Sequence, residues 1–273
     1  MVTTVTSLDN PTVKLARSLS KRRDRQKEQA FVLEGVRALS EALVGGASPR
    51  AIFIARDILG SGEEQDRLLV ALTELRETTT GRHMRVLEVT PQVMKSISET
   101  ETPQGIAAIV AFPEATQPRA GTPLIVIADG IRDPGNLGTM LRTALGAGAT
   151  AVYTTPETVD LYNSKVVRAA MGAHFRLALR SNVGWQALDN ELANCEGIWG
   201  ADAGGTRLYT ATDWTAPTAL IIGNEDRGIS PEARERCTGL LAIPLEGGLE
   251  SLNAAVATAV LLFEAARQRR GES

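Results

Sequence analysis

Hydrophobic and polar residues alternate along the chain in two rhythms, which together predict an α/β protein. Short apolar runs, typical of buried strands, are separated by segments whose apolar residues recur every three or four positions, as on one face of a helix. In the N-terminal half we predict helices at 9–28, 36–44, 63–77 and from 91, and strands at 30–33, 51–54, 84–89 and 105–110. In the C-terminal half we predict strands at 124–128, 150–154, 175–179, 197–201, 218–222 and 239–243, and helices at 137–147, 163–171, 185–193 and 251–270.

A proline-rich segment of low hydrophobicity, 112–122, divides the two halves and is the predicted linker. The predicted domains are therefore a smaller α/β domain over 1–111 and a larger one over 123–273. The larger domain opens with a continuous apolar run, Leu124 to Ala128, as in a strand buried on both faces. We expect an open, mostly parallel sheet with helices on both sides.

The last predicted helix has an apolar stripe with the spacing of one buried face. Its expected N-cap is Ser251, whose hydroxyl can accept a hydrogen bond from an amide two or three residues later. The stripe consists of Leu252, Val256, Ala259, Val260, Phe263 and Ala266.

Composition narrows the class of protein. The chain has 273 residues with 43% hydrophobic and 22% charged residues, as expected for a soluble globular protein of two domains. No apolar run is long enough to span a bilayer, and the N-terminus lacks the pattern of a signal peptide. Cys195 and Cys237 are far apart, and there are only two histidines, so we expect reduced thiols, a cytoplasmic location and no metal.

Positive charge is concentrated near the N-terminus, although the net charge of −3 argues against a surface that binds nucleic acid everywhere. A local basic patch can hold a phosphate backbone even on an acidic protein. The candidate RNA contacts are Arg22, Arg23 and Arg25. The alternative is a solvated helix face or a basic tail.

Glycines and polar side chains follow three predicted strands of the larger domain, at 129–138, 223–228 and 243–253. The carboxyl ends of parallel strands share one edge of a sheet, where ligands bind in such folds, so these stretches predict a site. Ordinary turn formation is the alternative for any one of them. The polar side chains involved are Asn136, Arg142, Asn224, Glu225, Ser251 and Asn253.

Three familiar sequence patterns, two for nucleotide binding and one for serine hydrolases, are excluded. Residues 146–151 match G-x-G-x-x-A, but this match lies after a helix and before a strand, the reverse of a dinucleotide-binding fingerprint. The sequence has neither a Walker A motif nor a Gly-x-Ser-x-Gly elbow.

The three stretches, in this order, resemble the motifs of the SpoU/TrmH family of RNA ribose 2′-O-methyltransferases. Residues 136–144 resemble the first motif, 223–225 the second, and 243–244 with 251–253 the third. The resemblance extends over the C-terminal half, and the N-terminal half resembles the RNA-binding domain of the family. Asp226, Ala170 and Ala254 depart from the commonest family pattern, and Asp226 places a second carboxylate beside Glu225.

The resemblance implies S-adenosylmethionine as methyl donor, a deep trefoil knot of the SPOUT type in the C-terminal domain, and a homodimer packed through these domains. It implies Arg142 as the central catalytic residue. Asn136 and Asn253 are expected to fix the ribose or Arg142, and Glu225 to orient Arg142 by a bidentate contact. Arg132 is expected to contact a phosphate. The alternatives are turn formation for Asn136, helix capping for Asn253 and a solvated side chain for Arg132. The implied cofactor-binding residues are Gly223, Asn224, Ile243, Leu245, Ser251 and Leu252.

The substrate implied by the extra N-terminal domain is 23S ribosomal RNA. A tRNA ribose, a tRNA base and a non-catalytic RNA-binding module are the alternatives. A housekeeping role in ribosome maturation and a role in antibiotic resistance are both compatible with these motifs.

Overall fold

The computed structural model describes residues 3–78, 83–113, 118 and 121–271. The chain forms two compact units, Met1–Glu114 with Tyr162–Phe175, and Ala115–Leu161 with Arg176–Ser273. The predicted linker includes residues 114–117, 119 and 120, which lie outside the described residues. The predicted domain boundaries therefore stay a prediction.

The first unit contains a five-stranded mixed sheet with helices on both faces. Its strands lie in the order β1-β4-β3-β5-β2, with β5 antiparallel to both β3 and β2. One face packs under α3 and α5, and the other under α1 and α6. The elements are β1 (Thr3–Val5), α1 (Pro11–Ser18), α2 (Arg22–Glu28), β2 (Ala30–Glu34), α3 (Val36–Val44), β3 (Pro49–Ile54), α4 (Arg56–Leu59), α5 (Glu63–Glu77), β4 (Arg85–Val89), α6 (Pro91–Ile97), β5 (Ile106–Ala111) and, later in the chain, α8 (Ser164–Ala170).

The second unit contains a seven-stranded sheet that is parallel throughout, in the order β10-β12-β9-β11-β6-β7-β8. Its elements are β6 (Leu124–Asp129), α7 (Pro134–Ala147), β7 (Ala151–Thr154), β8 (Ala178–Arg180), α9 (Trp185–Leu192), β9 (Gly197–Ala201), β10 (Arg207–Leu208), β11 (Thr218–Gly223), α10 (Pro231–Arg236), β12 (Gly239–Ala242) and α11 (Ala254–Arg269). The predicted α/β class and parallel sheet are confirmed.

The sheet topology positions the candidate site. The two central strands, β6 and β11, are buried at every residue and end side by side, with Asp129 opposite Gly223. Helix α11 packs against α7, the helix that follows β6. Loops that are about 90 residues apart in sequence therefore leave the same edge of the sheet.

Three predicted elements differ from the structure. The basic helix is two helices, α1 and α2, because the backbone is extended at Lys21. The strand expected at 175–179 is shorter and begins at Ala178, after a 3₁₀ turn.

The third difference is in α11, which begins at Ala254 and not at Ser251. The predicted buried stripe is wrong for Val256 and Phe263, which are 50% and 49% exposed. The buried face consists of Ala254, Ala255, Thr258, Leu261, Leu262, Ala265 and Ala266.

No helix among the described residues is both long enough and apolar enough to cross a bilayer.

Candidate active site at the carboxyl edge of the seven-stranded sheet

The first loop places Asn136 in the opening turn of α7. Asp133 is the N-cap, and its carboxylate accepts a hydrogen bond from the Asn136 amide at 2.7 Å. Pro134 occupies the first helical position, where its missing N–H costs nothing. The Asn136 side chain is thereby held at the start of the helix with its amide group free to bond elsewhere.

The second loop is a tight turn that presents Glu225. The backbone groups of Asn224 and Gly228 exchange two hydrogen bonds of 2.9 Å, so the chain folds back over Gly223. A Cβ at Gly223 would lie 2.1 Å from the carbonyl carbon of Gly228, which explains the glycine by close approach of the chain to itself. The Asn224 side chain ties this turn to the first loop by donating to the Gly130 carbonyl at 2.8 Å.

The third loop ends at Asn253, which is the N-cap of α11. Its side-chain oxygen accepts from the amides of Ala255 and Val256 at 2.9 and 3.2 Å. The predicted N-cap, Ser251, is wrong: its side chain is exposed and makes no hydrogen bond among the described residues. Because the oxygen of Asn253 is used for capping, its NH₂ group is directed away from the helix.

A chain of side-chain hydrogen bonds joins the three loops, and we call it the Asn–Asn–Glu chain. Asn253 Nδ2 donates to Asn136 Oδ1 at 2.8 Å, and Asn136 Nδ2 donates to Glu225 Oε1 at 2.9 Å. The amides of Arg132 and Asp133 also donate to the Glu225 carboxylate, at 3.2 and 3.3 Å. Three of the four predicted catalytic residues are therefore in direct contact.

The carboxylate of Glu225 is stabilised in its ionised form. Partial burial raises its pKa, but hydrogen bonds from the Asn136 side chain and from backbone amides, including those of Arg132 and Asp133, outweigh burial. The pKa of Glu225 is consequently below its ordinary value. The group is an anion at neutral pH and serves as a fixed acceptor for its neighbours.

Arg142 does not join this chain. It lies on α7 with an exposed side chain that makes no hydrogen bond or ion pair among the described residues. It is about 9 Å along the helix axis from Asn136 and about two-thirds of a turn around it. The expected bidentate contact between Glu225 and Arg142 is not formed within the chain, where the carboxylate accepts from Asn136 and the first-loop amides.

The segment between β12 and α11 has unpaired backbone groups. Among the described residues, no hydrogen bond involves the backbone of residues 245–252. Ile243, Leu245 and Leu252 are half-buried, whereas Gly247 and Gly248 have φ of +70° and +73° with nothing within 4 Å of an added Cβ. The segment thus offers apolar side chains together with free amides and carbonyls.

The four arginines predicted to contact RNA differ in their surroundings. Arg22 and Arg23 are exposed on α2, and the Arg132 side chain pairs with Glu157 at 3.2 Å. Arg25 is only 4% exposed and donates to the carbonyls of residues 19 and 20 at 2.8 and 2.7 Å. The structure does not support Arg25 as an exposed RNA contact, because its guanidinium is committed to the end of α1.

Asp129 is a structural member of the site that was not among the predicted site residues. It is 5% exposed, and its carboxylate accepts from the Thr155 hydroxyl at 3.0 Å and from the Ser230 amide at 2.7 Å. An acid at the end of a wholly apolar strand was the available signal. The bond from Ser230 fixes the segment after the second loop to the end of β6.

A cavity of about 380 Å³ lies beside these loops, and Asp129, Gly130, Arg132 and Asn224 contribute to its wall. Within the described part of the chain, no group of three or more His, Cys, Asp or Glu side chains is placed to hold a metal ion.

Comparison with known protein families covers both halves of the chain. Residues 123–263 match the SpoU rRNA Methylase family. Residues 10–108 match the MRM3-like substrate binding domain.

Full-length relatives agree with these matches. The chain is 34% identical to the 23S rRNA (guanosine(2553)-2'-O)-methyltransferase RlmP of Bacillus subtilis, over 95% of this chain and 97% of that protein. It is 33% identical to the mitochondrial rRNA methyltransferase 3 of Homo sapiens, over 91% of this chain and 70% of that protein. A crystal structure of an AdoMet-bound rRNA methyltransferase from Sinorhizobium meliloti superposes with a TM-score of 0.82 at 30% identity, covering 98% of each chain. The chain belongs to the SpoU rRNA Methylase family.

Proposed function

We propose that this protein transfers a methyl group from S-adenosylmethionine to a ribose 2′-hydroxyl of ribosomal RNA, with 23S rRNA as the substrate. The observation that carries the proposal is the Asn–Asn–Glu chain, which unites three strand-end loops in a domain that matches the family over residues 123–263. The relatives from B. subtilis and H. sapiens are named as rRNA methyltransferases.

The segment 245–252 fits the cofactor. S-adenosylmethionine, when bound, supplies an electrophilic methyl group on a sulfonium. Its adenine needs an apolar slot with hydrogen-bonding groups at the edges, and half-buried Ile243, Leu245 and Leu252 with the free backbone of this segment provide both. Gly223 and Asn224 contribute indirectly, by shaping the neighbouring turn. The trefoil knot implied by the family resemblance remains part of the proposal.

Arg142 is the proposed charge-stabilising residue. If the ribose 2′-hydroxyl attacks the methyl group that bound S-adenosylmethionine would supply, the hydroxyl must lose its proton. Guanidinium remains protonated in proteins, so Arg142 cannot take that proton. It instead holds the adjacent phosphate and stabilises negative charge on the ribose oxygen, and the phosphate or water accepts the proton. The exposed side chain of Arg142 makes no hydrogen bond or ion pair in the described part of the chain and is therefore available for this contact.

Asn136 and Asn253 are the proposed positioning groups for the ribose. Each uses one N–H of its side-chain amide within the Asn–Asn–Glu chain, which leaves the second N–H free to donate. Glu225 fixes the orientation of Asn136, and the capping bonds to α11 fix that of Asn253. A preorganised pair of donors of this kind lowers the entropic cost of aligning the nucleophile.

A homodimer packed through the C-terminal domain is proposed, with an apolar strip on α11 as the contact. Val256 and Phe263 are about half exposed, and Ala259 and Val260 lie between them at helical spacing. Such a strip on a surface helix is typical of a contact with another chain. A dimer formed there would place each site near the interface, where Arg142 of either protomer can complete it.

RNA selection is assigned to the first unit, whose residues 10–108 match a substrate-binding domain. Arg22 and Arg23 are proposed as peripheral phosphate contacts, together with Arg132 in the second unit. We propose a cytoplasmic location, consistent with two free thiols at Cys195 and Cys237.

Transfer of a tritiated methyl group tests the function. The protein is incubated with labelled S-adenosylmethionine and either unmodified 23S rRNA or unmodified tRNA, and the modified nucleotide is mapped. We expect label in 23S rRNA on a ribose. Label in tRNA alone, or on a base, would refute the proposed substrate or position, and absence of transfer to any RNA would refute the enzymatic function.

A further inference from the structure

The first unit contains a groove of about 490 Å³ beside β2, which is an edge strand of the five-stranded sheet. The groove is lined by the C-terminal ends of α1 and α6, the turn before α2, strand β2 and helix α8. Its volume lies within the range of roughly 300–1,000 Å³ that is usual for ligand sites. The proposed catalytic residues do not line it.

Positive charge dominates this groove. Its wall includes five cationic residues and two carboxylates. Arg17, Lys21 and Arg168 make no side-chain hydrogen bond or ion pair among the described residues, so all three are available to a ligand. The remaining cations are Lys14, which pairs with Asp9 at 2.8 Å, and Arg25.

The two carboxylates of the groove are already engaged by hydroxyl groups. Glu34 accepts from Ser98 at 2.7 Å and from Thr100 at 3.0 Å. Glu99 accepts from the hydroxyl of Ser164. Hydroxyl donors reduce the charge density that a carboxylate presents to an incoming anion. The net charge that the groove presents to a ligand is therefore positive and comes from Arg17, Lys21 and Arg168.

Buried Arg25 holds the turn that forms one wall of the groove. The Arg25 guanidinium binds the carbonyls of Leu19 and Ser20 and so fixes the turn between α1 and α2. Lys21 projects from this turn, and Arg17 lies in the last turn of α1. Arg17 and Lys21 are consequently held on backbone whose turn is fixed by the hydrogen bonds of Arg25.

We propose that this groove binds the phosphodiester backbone of a single-stranded segment of the RNA substrate, with Arg17, Lys21 and Arg168 each contacting a phosphate. The inference rests on the proposed function. Several unpaired cations along one groove fit a polyanion, and single-stranded loops are the usual targets of sequence-specific RNA recognition. The assignment moves the main RNA contact of the first unit from Arg22, Arg23 and Arg25 to a different set of side chains.

Fluorescence anisotropy tests whether the groove binds RNA. It measures the affinity of the full-length protein for a 23S rRNA fragment at several salt concentrations. The variants are the double substitution Arg17→Gln with Lys21→Gln and the single substitution Arg168→Gln. Loss of two phosphate contacts on a single strand flattens the slope of log K against log salt by about 1.4 and weakens binding about 10- to 30-fold near 0.1 M salt. Arg168→Gln should flatten the slope by about 0.7.

A matched control removes the same charge from the opposite face of the sheet. Arg67 and Arg76 lie on α5, which packs on the face away from α1. The double substitution Arg67→Gln with Arg76→Gln should change the Kd less than about twofold. An equal loss of affinity in this control would overturn the proposal, because binding would then depend on overall charge and not on the groove.

Steady-state methyl transfer separates the groove from the function itself. In groove variants the KM for RNA should rise with little change in kcat. If the wild-type protein methylates RNA and the groove variants keep the wild-type KM and salt slope, the groove proposal is wrong. If the wild-type protein binds RNA through the groove but transfers no methyl group, the groove is supported and the proposed function is wrong.

Discussion

Glu225→Gln tests whether the Asn–Asn–Glu chain positions the ribose. The Glu225 carboxylate accepts four hydrogen bonds of 2.9 to 3.4 Å, from the side chains of Asn136 and Asn224 and the amides of Arg132 and Asp133. Glutamine replaces one accepting oxygen by an NH₂ group, which then faces two N–H donors. Asn136 loses either its partner or its fixed orientation.

The expected effect follows from the bonds lost. A hydrogen bond to a charged group contributes about 1.5–3 kcal/mol, and two bonds lose their acceptor. Because Glu225 is largely exposed, we reduce the total to about 2–3 kcal/mol. If that loss falls on alignment of the ribose in the transition state, kcat decreases about 100-fold, since each 1.4 kcal/mol corresponds to a factor of ten.

Single-turnover methyl transfer at saturating RNA and cofactor measures this effect, with cofactor affinity measured in parallel by calorimetry. Asp226→Asn is the matched control: it removes the same charge from the adjacent residue, whose side chain makes no hydrogen bond among the described residues. We expect Asp226→Asn to retain wild-type kcat. Wild-type kcat in Glu225→Gln would refute the positioning role of the Asn–Asn–Glu chain.

The lowered pKa of Glu225 also predicts how the ratio of wild-type to Glu225→Gln rates depends on pH. A group with a depressed folded-state pKa contributes stability above its unfolded pKa, and the contribution is lost as pH falls through the folded value. The ordinary pKa of a glutamate side chain is 4.5, and the pKa of Glu225 is lower. The carboxylate is therefore ionised throughout the pH range of the assay. The ratio of wild-type to Glu225→Gln rates should be constant between about pH 5.5 and 8. A ratio that approaches one near pH 6 would contradict this assignment.

Three further predictions concern other parts of the second unit. Arg142→Ala should reduce methyl transfer about 100- to 1000-fold while the Kd for S-adenosylmethionine, measured by calorimetry, stays within a few-fold; loss of cofactor binding would argue against its role. Val256→Arg combined with Phe263→Arg should convert a dimer to a monomer in light scattering, and an unchanged mass would exclude this face of α11 as the interface. Burial raises the pKa of both Cys195 and Cys237 to about 11, so alkylation by iodoacetamide at pH 8 should be about 100-fold slower than that of free cysteine; rapid alkylation of the folded protein would disprove this.

Sequence patterns predicted the layers of the fold better than the details of its last helix. The runs at 124–129 and 218–223 are apolar at nearly every position, which only a central parallel strand accommodates, and both are fully buried. Helix α11 is apolar almost all round, so its periodicity cannot select the buried face. Packing against α7 makes that selection, and it is a property of the assembled sheet.

For the site as well, the sequence predicted which residues come together but not how their side chains are bonded. Glycine and polar residues after three strands were sufficient to predict that Asn136, Glu225 and Asn253 converge. Which side chain bonds to which depends on the direction of each loop, and therefore Glu225 was assigned to Arg142 and not to Asn136. Arg25 was predicted on the surface because a run of cations is usually solvated. Its guanidinium instead donates hydrogen bonds to two carbonyls at the end of α1.

Replacement of a single ribose in the substrate tests whether the 2′-hydroxyl accepts the methyl group. Once the modified nucleotide has been mapped, the same 23S rRNA fragment is synthesised with a 2′-deoxy sugar at that position and offered to the wild-type protein with labelled S-adenosylmethionine. We expect unchanged RNA binding and no methyl transfer to the deoxy substrate. Transfer that persists on the deoxy substrate would show that the methyl acceptor is not the ribose hydroxyl that Asn136, Asn253 and Arg142 are proposed to serve.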